Sequence, residues 1–208
     1  MYAYTQVDLS QKGLVMLEKE IKILLTKAQY QQVEGFFSWD EDYLQTNYYF
    51  IDLEKFKTSR GYDIKCDTVR IREKGNEFRL QVKAFVSKQG NLHTMREFEK
   101  KVDKLSQVIS SAELEDLTGM KFNDLDCIGK LVTNRKECNK YKGITICLDK
   151  NNYLGLEDYE LELEYTGDYP DFLVERLEES GIYTGGEEVD GKYIRFIKSW
   201  DKGMGSLP

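Results

Sequence analysis

Apolar and polar positions alternate over long stretches of the chain and change to a three-to-four spacing in a few places. Alternation predicts strands, because successive side chains of an extended backbone point to opposite faces. It occurs in "MLEKEIKI", "YLQTNYYFID", "DTVRIREK", "EFRLQVKAF", "LHTMREFEKKV", "KLVTNRKECNKY", "GITICLD" and "EDYELELEY", about eight strands in all. "REKGNEFR" predicts a hairpin around Gly75-Asn76, and "ECNKYKGITI" another around Lys142-Gly143. Connections this local predict an antiparallel sheet. The helical spacing falls in "TKAQYQQVEGFFSW", where Thr26 and Gln29 form a capping box ahead of the stripe Tyr30, Val33 and Phe37. It recurs in "SSAELEDLTG", capped by Ser110 with Glu113 and stopped by Gly119, and in "DYPDFLVERLEESG", between Pro170 and Gly181. "GKYIRFIKSW" is read as a last helix, although period 2 fits it nearly as well.

Most of these strands carry aliphatic groups on one face and charge on the other. Glu18, Glu20 and Lys22 share a face, as do Arg70 and Arg72, Glu97 and Glu99, Thr133 and Arg135, and Glu160, Glu162 and Glu164. Lys83 follows Arg79 and Gln81, and Asp149 follows Thr145 and Cys147. Two architectures fit this pattern. In an open antiparallel sheet the charged face is wet and the apolar face rests on helices. In a closed barrel the charged face lines the interior. Like charges two apart on one face repel, so the arginine and glutamate doublets invite an anion and a cation respectively.

Composition narrows the classes. The chain has 208 residues, 40% of them hydrophobic and 32% charged, which predicts a packed core under a charged surface. The net charge of −7 disfavours a duplex nucleic-acid binder. Neither a membrane-spanning run nor a secretory leader is read, and a cytoplasmic location is expected. Cys66, Cys127, Cys138 and Cys147 lack C-x-x-C spacing and are expected to be reduced structural thiols. His93, the single histidine, is expected at the surface, and a Ser-His-Asp or Cys-His mechanism, which would rest wholly on it, is disfavoured. With two prolines and no linker composition, residues 16–200 are read as one domain, preceded by an arm over 1–15 and followed by a polar tail over 201–208.

"EKEIKILLT" resembles the Glu-x-Glu-x-Lys motif of the CYTH family, the class IV adenylate cyclases and thiamine triphosphatases, also called triphosphate tunnel metalloenzymes. The resemblance continues in family order through "QTNYYFID", "VRIREKGNEFRLQVK", "REFEKKV", "LVTNRKE", "ICLDKNNYLGLEDYELELE" and "GKYIRF". It implies an α+β fold, an eight-stranded antiparallel closed barrel with a triphosphate tunnel and helices packed outside. It also implies roles. Glu18, Glu20, Asp149, Glu160 and Glu162 resemble the metal ligands, for Mg²⁺ or Mn²⁺. Lys22, Arg70, Arg72, Lys83, Arg135 and Lys192 resemble the phosphate binders, with Glu18, Glu20 and Lys22 as the catalytic set. Glu97 and Glu99 match additional tunnel acids, and Glu164 lies one step beyond the usual acidic pair. The long segment ahead of the first motif departs from the family pattern.

The chemistry agrees with those roles. Hard divalent ions take carboxylate oxygens, and a triphosphate suits arginine forks and lysine point charges. Three functions remain open: a metal-dependent triphosphatase acting on tripolyphosphate, thiamine triphosphate or ATP; an adenylate cyclase releasing pyrophosphate; and a non-catalytic polyphosphate or nucleotide binder. Tyr48, Tyr49 and Phe50 are candidates for stacking on a base, but core packing accounts for them better. A homodimer is left open.

Overall fold

The structure, a computed structural model, describes residues 14–58, 68–182 and 189–204. Its elements are β1 (Leu14–Leu25), α1 (Lys27–Glu34), β2 (Glu41–Ile51), α2 (Leu53–Thr58), β3 (Thr68–Lys74), β4 (Glu77–Gln89) and β5 (Leu92–Val102). They continue with β6 (Val108–Ile109), α3 (Ser111–Thr118), β7 (Leu125–Tyr141), β8 (Ile144–Tyr153), β9 (Leu156–Tyr165), α4 (Asp171–Glu179) and α5 (Lys192–Met204). All eight strands expected from alternation are present, and the short β6 and α2 are additions. The strands hydrogen-bond in the order β2-β3-β4-β5-β1-β9-β8-β7-β6, and β2 also pairs with β7. That last pairing closes the sheet, so the fold is the α+β antiparallel barrel of eight long strands.

Local chemistry explains the joints. Lys74 pairs with Glu77 across Gly75-Asn76, and Gly75 has the positive φ of 61° that a two-residue hairpin turn requires. Tyr141 pairs with Ile144 across Lys142-Gly143. A Cβ at Gly143 would stand 3.0 Å from Thr166 Oγ1, so this turn needs glycine for space as well as for φ. At the start of α1 the Thr26 hydroxyl accepts from the Gln29 amide, and Gln29 Oε1 accepts from the Thr26 amide. At α3 only half of the expected box forms: the Ser110 hydroxyl accepts from the Glu113 amide, and Gly119 ends the helix in the left-handed conformation.

Two compact units are distinguished by their internal contacts. One is built from Thr46–Val86 and Met95–Lys130. Its core joins Val69, Ile71, Leu80, Val82 and Phe98 from the apolar strand faces to Leu114 and Leu117 of α3. The other is built from Glu18–Gln45, Ser87–Thr94 and the chain from Leu131. Here Ile21, Ile23, Ile146, Leu148, Leu161 and Leu163 form the apolar face, covered by Tyr30 and Val33 of α1 and by Leu173 and Leu177 of α4. Burying one such side chain contributes about 1.5–3 kcal/mol, which fixes the apolar parity of each strand. The opposite parity must then carry the charged residues.

Several expectations land elsewhere. His93 is buried, 8% exposed, rather than at the surface, since its parity in β5 directs it inward. Phe50 packs in the core beside Val69 and Ile71, with Tyr48 half-buried against it and donating to Glu73, while Tyr49 is buried on the opposite face of β2, that of Gln45 and Asn47. Cys127, Cys138 and Cys147 are free thiols; Cys66 lies outside the described residues. Of the expected tail, residues 201–204 are the end of α5, and 205–208 lie outside the described residues, as do 1–13 of the arm. Among the described residues, no helix is long and apolar enough to cross a membrane.

Candidate active site

The register of four neighbouring strands assembles the site. Lys22 of β1 lies opposite Glu162 of β9, and Glu162 lies opposite Cys147 of β8. One row away, Glu160 faces Asp149, which in turn faces Arg135 of β7. On the other side, Glu20 faces Glu164. These residues share one parity because Leu161, Leu163, Ile21 and Leu148 occupy the other and are needed in the core. The charged face is not wet: Asp149 and Glu160 are 0% exposed, and Glu20, Lys22, Arg135 and Glu162 are all buried. An open sheet with a solvated charged face is thereby ruled out for this part of the molecule.

Buried charge has to be compensated, and most of this charge is paired. Lys22 Nζ sits 2.7 Å from Glu20 Oε2, 2.6 Å from Glu162 Oε1 and 3.9 Å from Glu160 Oε1. Arg135 donates from Nε and Nη2 to the two Asp149 oxygens at 2.8 and 2.6 Å, in the bidentate geometry special to arginine. The same Nη2 reaches Glu162 Oε2, and Nη1 reaches Glu164 Oε1 at 3.4 Å. Helix α5 supplies the remaining cations. Lys192 Nζ lies 2.9 Å from Asp149, 3.2 Å from Glu160 and 3.0 Å from Glu162. One turn on, Arg195 forks onto both Asp158 oxygens at 2.8 and 3.1 Å and donates to Glu160 Oε2 at 2.7 Å. Asp158 also accepts from Asn151 and Tyr153, and Asn151 accepts from Thr133.

The electrostatics follow from that geometry. Burial alone would push the Glu162 carboxyl up, yet Lys192, Lys22 and Arg135 together hold it well below the usual carboxylate range. Asp149 is likewise held low, against its burial, by Arg135 and Lys192. Burial would lower the Lys22 and Lys192 ammoniums, but their carboxylate neighbours raise both above the ordinary lysine value. Burial drives the Cys147 thiol well up, so it stays protonated beside Arg135 and Glu164.

The donor set suits a hard divalent cation. Six carboxylates, those of Glu20, Asp149, Asp158, Glu160, Glu162 and Glu164, meet the four cations Lys22, Arg135, Lys192 and Arg195. Within that set two negative charges are left over when every group is ionised. Glu160 Oε1, fully buried, has no hydrogen-bond partner. Glu20, Glu162 and Glu164 each offer one carboxylate oxygen, and the three oxygens lie within 4.8 Å of one another. Oxygen donors of this kind match Mg²⁺ or Mn²⁺ better than softer ions.

The basic strand pair forms its own cluster in the other unit. Arg70 faces Gln81 across β3 and β4, and its Nε donates to Gln81 Oε1 at 2.8 Å. Gln81 in turn donates to Glu99, which also accepts from Arg79 at 2.6 Å. Lys83 Nζ lies 3.7 Å from Glu97 Oε2. Burial would raise the Glu97 carboxyl, but Lys83, Arg70 and Arg72 hold it low. Arg72 Nε donates to Asn47 Oδ1 at 3.0 Å.

Of the residues expected from sequence, Glu20, Lys22, Arg135, Asp149, Glu160, Glu162 and Lys192 come together in one cluster. Arg70, Arg72, Lys83, Glu97 and Glu99 come together in the second. Glu18 is a β1 residue whose side chain lies outside those described. Glu164, expected only to share the face one step beyond the usual pair, joins the first cluster, and Arg195 and Asp158 join it without having been singled out. Glu164 and Asp158 share the parity of Glu160, and Arg195 follows Lys192 by three residues, a spacing that puts both on one helix face.

Residues 16–182 match the family model described as the CYTH domain. The chain belongs to the CYTH family. The CYTH domain is similar to the "Putative triphosphatase YjbK" of Bacillus subtilis (strain 168), 29% identical over 152 residues, which are 71% of this chain and 77% of that protein. Among solved structures it is similar to a Hippeastrum protein, the "Putative adenylyl cyclase HpAC1", described as revealing a dominant triphosphatase activity. That likeness has a TM-score of 0.66 and 21% identity, covering 87% of this chain and 95% of that one. A "putative adenylate cyclase" from Bacillus halodurans gives a TM-score of 0.59 and 24% identity over 88% of this chain and 98% of that one. At these identities the structural likenesses speak for the CYTH fold.

Proposed function

We propose that this CYTH domain is a divalent-metal-dependent triphosphatase that releases orthophosphate from an inorganic or organic triphosphate. The observation that carries the reading is the buried cluster on β1, β7, β8 and β9, where carboxylates outnumber the cations interleaved with them. Phosphate binding by itself calls for cations and gives no reason to bury so many acids. The triphosphatase descriptions of YjbK and of the Hippeastrum protein support the same reading.

Glu20, Glu162 and Glu164 would hold Mg²⁺ or Mn²⁺, with Glu160, Asp149 and, from the sequence pattern, Glu18 as further acidic groups. The bound metal supplies charge neutralisation at the phosphates and lowers the pKa of a water. Lys22, Arg135 and Lys192 are held among these carboxylates by short ion pairs. With carboxylate oxygens engaged on a metal, the N–H groups of Lys22, Arg135 and Lys192 would be free to donate to phosphate oxygens. Arg70, which is buried, and Arg72 and Lys83, which are half-buried, are proposed as phosphate binders on their charge and on the family resemblance. No protein nucleophile is required, since phosphoryl transfer responds mainly to positioning and charge stabilisation.

The test is a product assay with Mg²⁺ or Mn²⁺ on tripolyphosphate, thiamine triphosphate and ATP, with Glu20→Gln alongside. Orthophosphate release that disappears in the variant is expected. Cyclic AMP with pyrophosphate from ATP would make the protein a cyclase instead. Absence of any product would leave a binding module.

A further inference from the structure

Asn47, in the middle of β2, is 0% exposed, yet its side-chain Nδ2 has no hydrogen-bond partner. Its Oδ1 is occupied by Arg72 Nε at 3.0 Å. That contact fixes the amide's orientation, because the flipped amide would set its N–H₂ against a guanidinium N–H, donor against donor. Nδ2 is therefore an aimed and unsatisfied donor. A buried N–H group without an acceptor is unfavourable, and native proteins keep few of them without a reason.

The surroundings say what the missing acceptor is. Arg72 lies beside the amide, and Arg70 and Lys83 join Arg72 in holding the Glu97 carboxyl low. Arg70 is itself steadied by Gln81 at 2.8 Å. An acceptor entering next to the Arg72 guanidinium is favoured when it is anionic, and a phosphate oxygen offers both the charge and the lone pairs. We propose that Asn47 is a further substrate-binding residue, its Nδ2 donating to a phosphate oxygen of the triphosphate while Arg72 holds the amide in place. The inference rests on the triphosphate reading of the function and adds a neutral contact to it. A neutral donor recognises the oxygen without adding a further cation to repel its neighbours.

The experiment uses the full chain labelled with ¹⁵N and titrated with tripolyphosphate in the presence of Mg²⁺. The Asn47 side-chain amide signals, assigned by their absence from Asn47→Asp, are expected to shift with the same midpoint as overall binding. Asn47→Asp keeps the acceptor for Arg72 and should fold with a thermal midpoint at or above the wild type. Asn47→Ala removes acceptor and donor without adding charge. Both are expected to bind tripolyphosphate about tenfold more weakly, the scale of one lost hydrogen bond to a charged group. Amide signals that stay put while the wild type binds, or variants that bind as well as the wild type, would overturn the inference alone. A wild-type chain that does not bind tripolyphosphate would overturn the triphosphate reading and this inference with it.

Discussion

Arg135 shows how much one side chain carries in a buried ionic cluster. Its fork holds both Asp149 oxygens, and its remaining N–H groups reach Glu162 and Glu164. Truncation would leave Asp149, which is fully buried, beside two further carboxylates with one cation fewer. Arg135→Ala is therefore expected to lose about 3–5 kcal/mol of stability in urea unfolding at neutral pH, the range for breaking a buried pair. A loss below about 1 kcal/mol, the scale of a solvated pair, would mean the carboxylates relax into water. The cluster was half-legible at this scale. Arg135 and Asp149 stood out by parity and family motif. Asn47 did not, because nothing in a sequence tells a packed amide from an unsatisfied one; only the geometry around Arg72 does that.

At the scale of the element, α5 is the part that sequence periodicity described least well. Its stretch is open to both helical and alternating readings, and the helix resolves them, burying Tyr193, Phe196 and Ile197 at i, i+3 and i+4 while Lys192 and Arg195 face carboxylates. The helix thus brings two cations onto acids of β8 and β9, and Lys192 stands where a metal's charge would be felt. Lys192→Gln removes that ammonium and leaves Asp149, Glu160 and Glu162 more exposed to one another's repulsion. Added Mn²⁺ is then expected to raise the variant's thermal midpoint by more than it raises the wild type's, because a ligand that binds the folded state stabilises it. An equal or smaller rise would show that lysine and metal do not compete.

For the molecule as a whole, the buried charges confine stability to a pH window in metal-free solution. Asp149 and Glu162 titrate below their usual range when folded. Their contribution is complete above the unfolded carboxylate pKa of about 4 and is lost as the pH falls through the lower folded values. Lys22 and Lys192 titrate above theirs, so their contribution is complete below about 10.4 and is lost as the pH rises. The thermal midpoint should be flat between about pH 5 and pH 8 and fall on both sides, the raised Cys147 thiol beginning the alkaline loss before the two lysines do. A midpoint still flat at about pH 3 would show that the two carboxylates carry no depressed pKa. The same charges separate what sequence and structure each decided. The alternating pattern determined the long strands, their apolar faces and the parity that puts Glu20, Lys22, Glu160 and Glu162 together, because period 2 is a property of the extended chain itself. The pattern was equal for a wet face and a buried one, since parity says nothing about what covers a sheet. Only the tertiary structure decided that the β2–β7 pairing closes the sheet and that α5 brings Lys192 and Arg195 onto the acids. Those contacts join residues far apart in the chain, and long-range pairing is set by packing across the fold, beyond the reach of any local pattern.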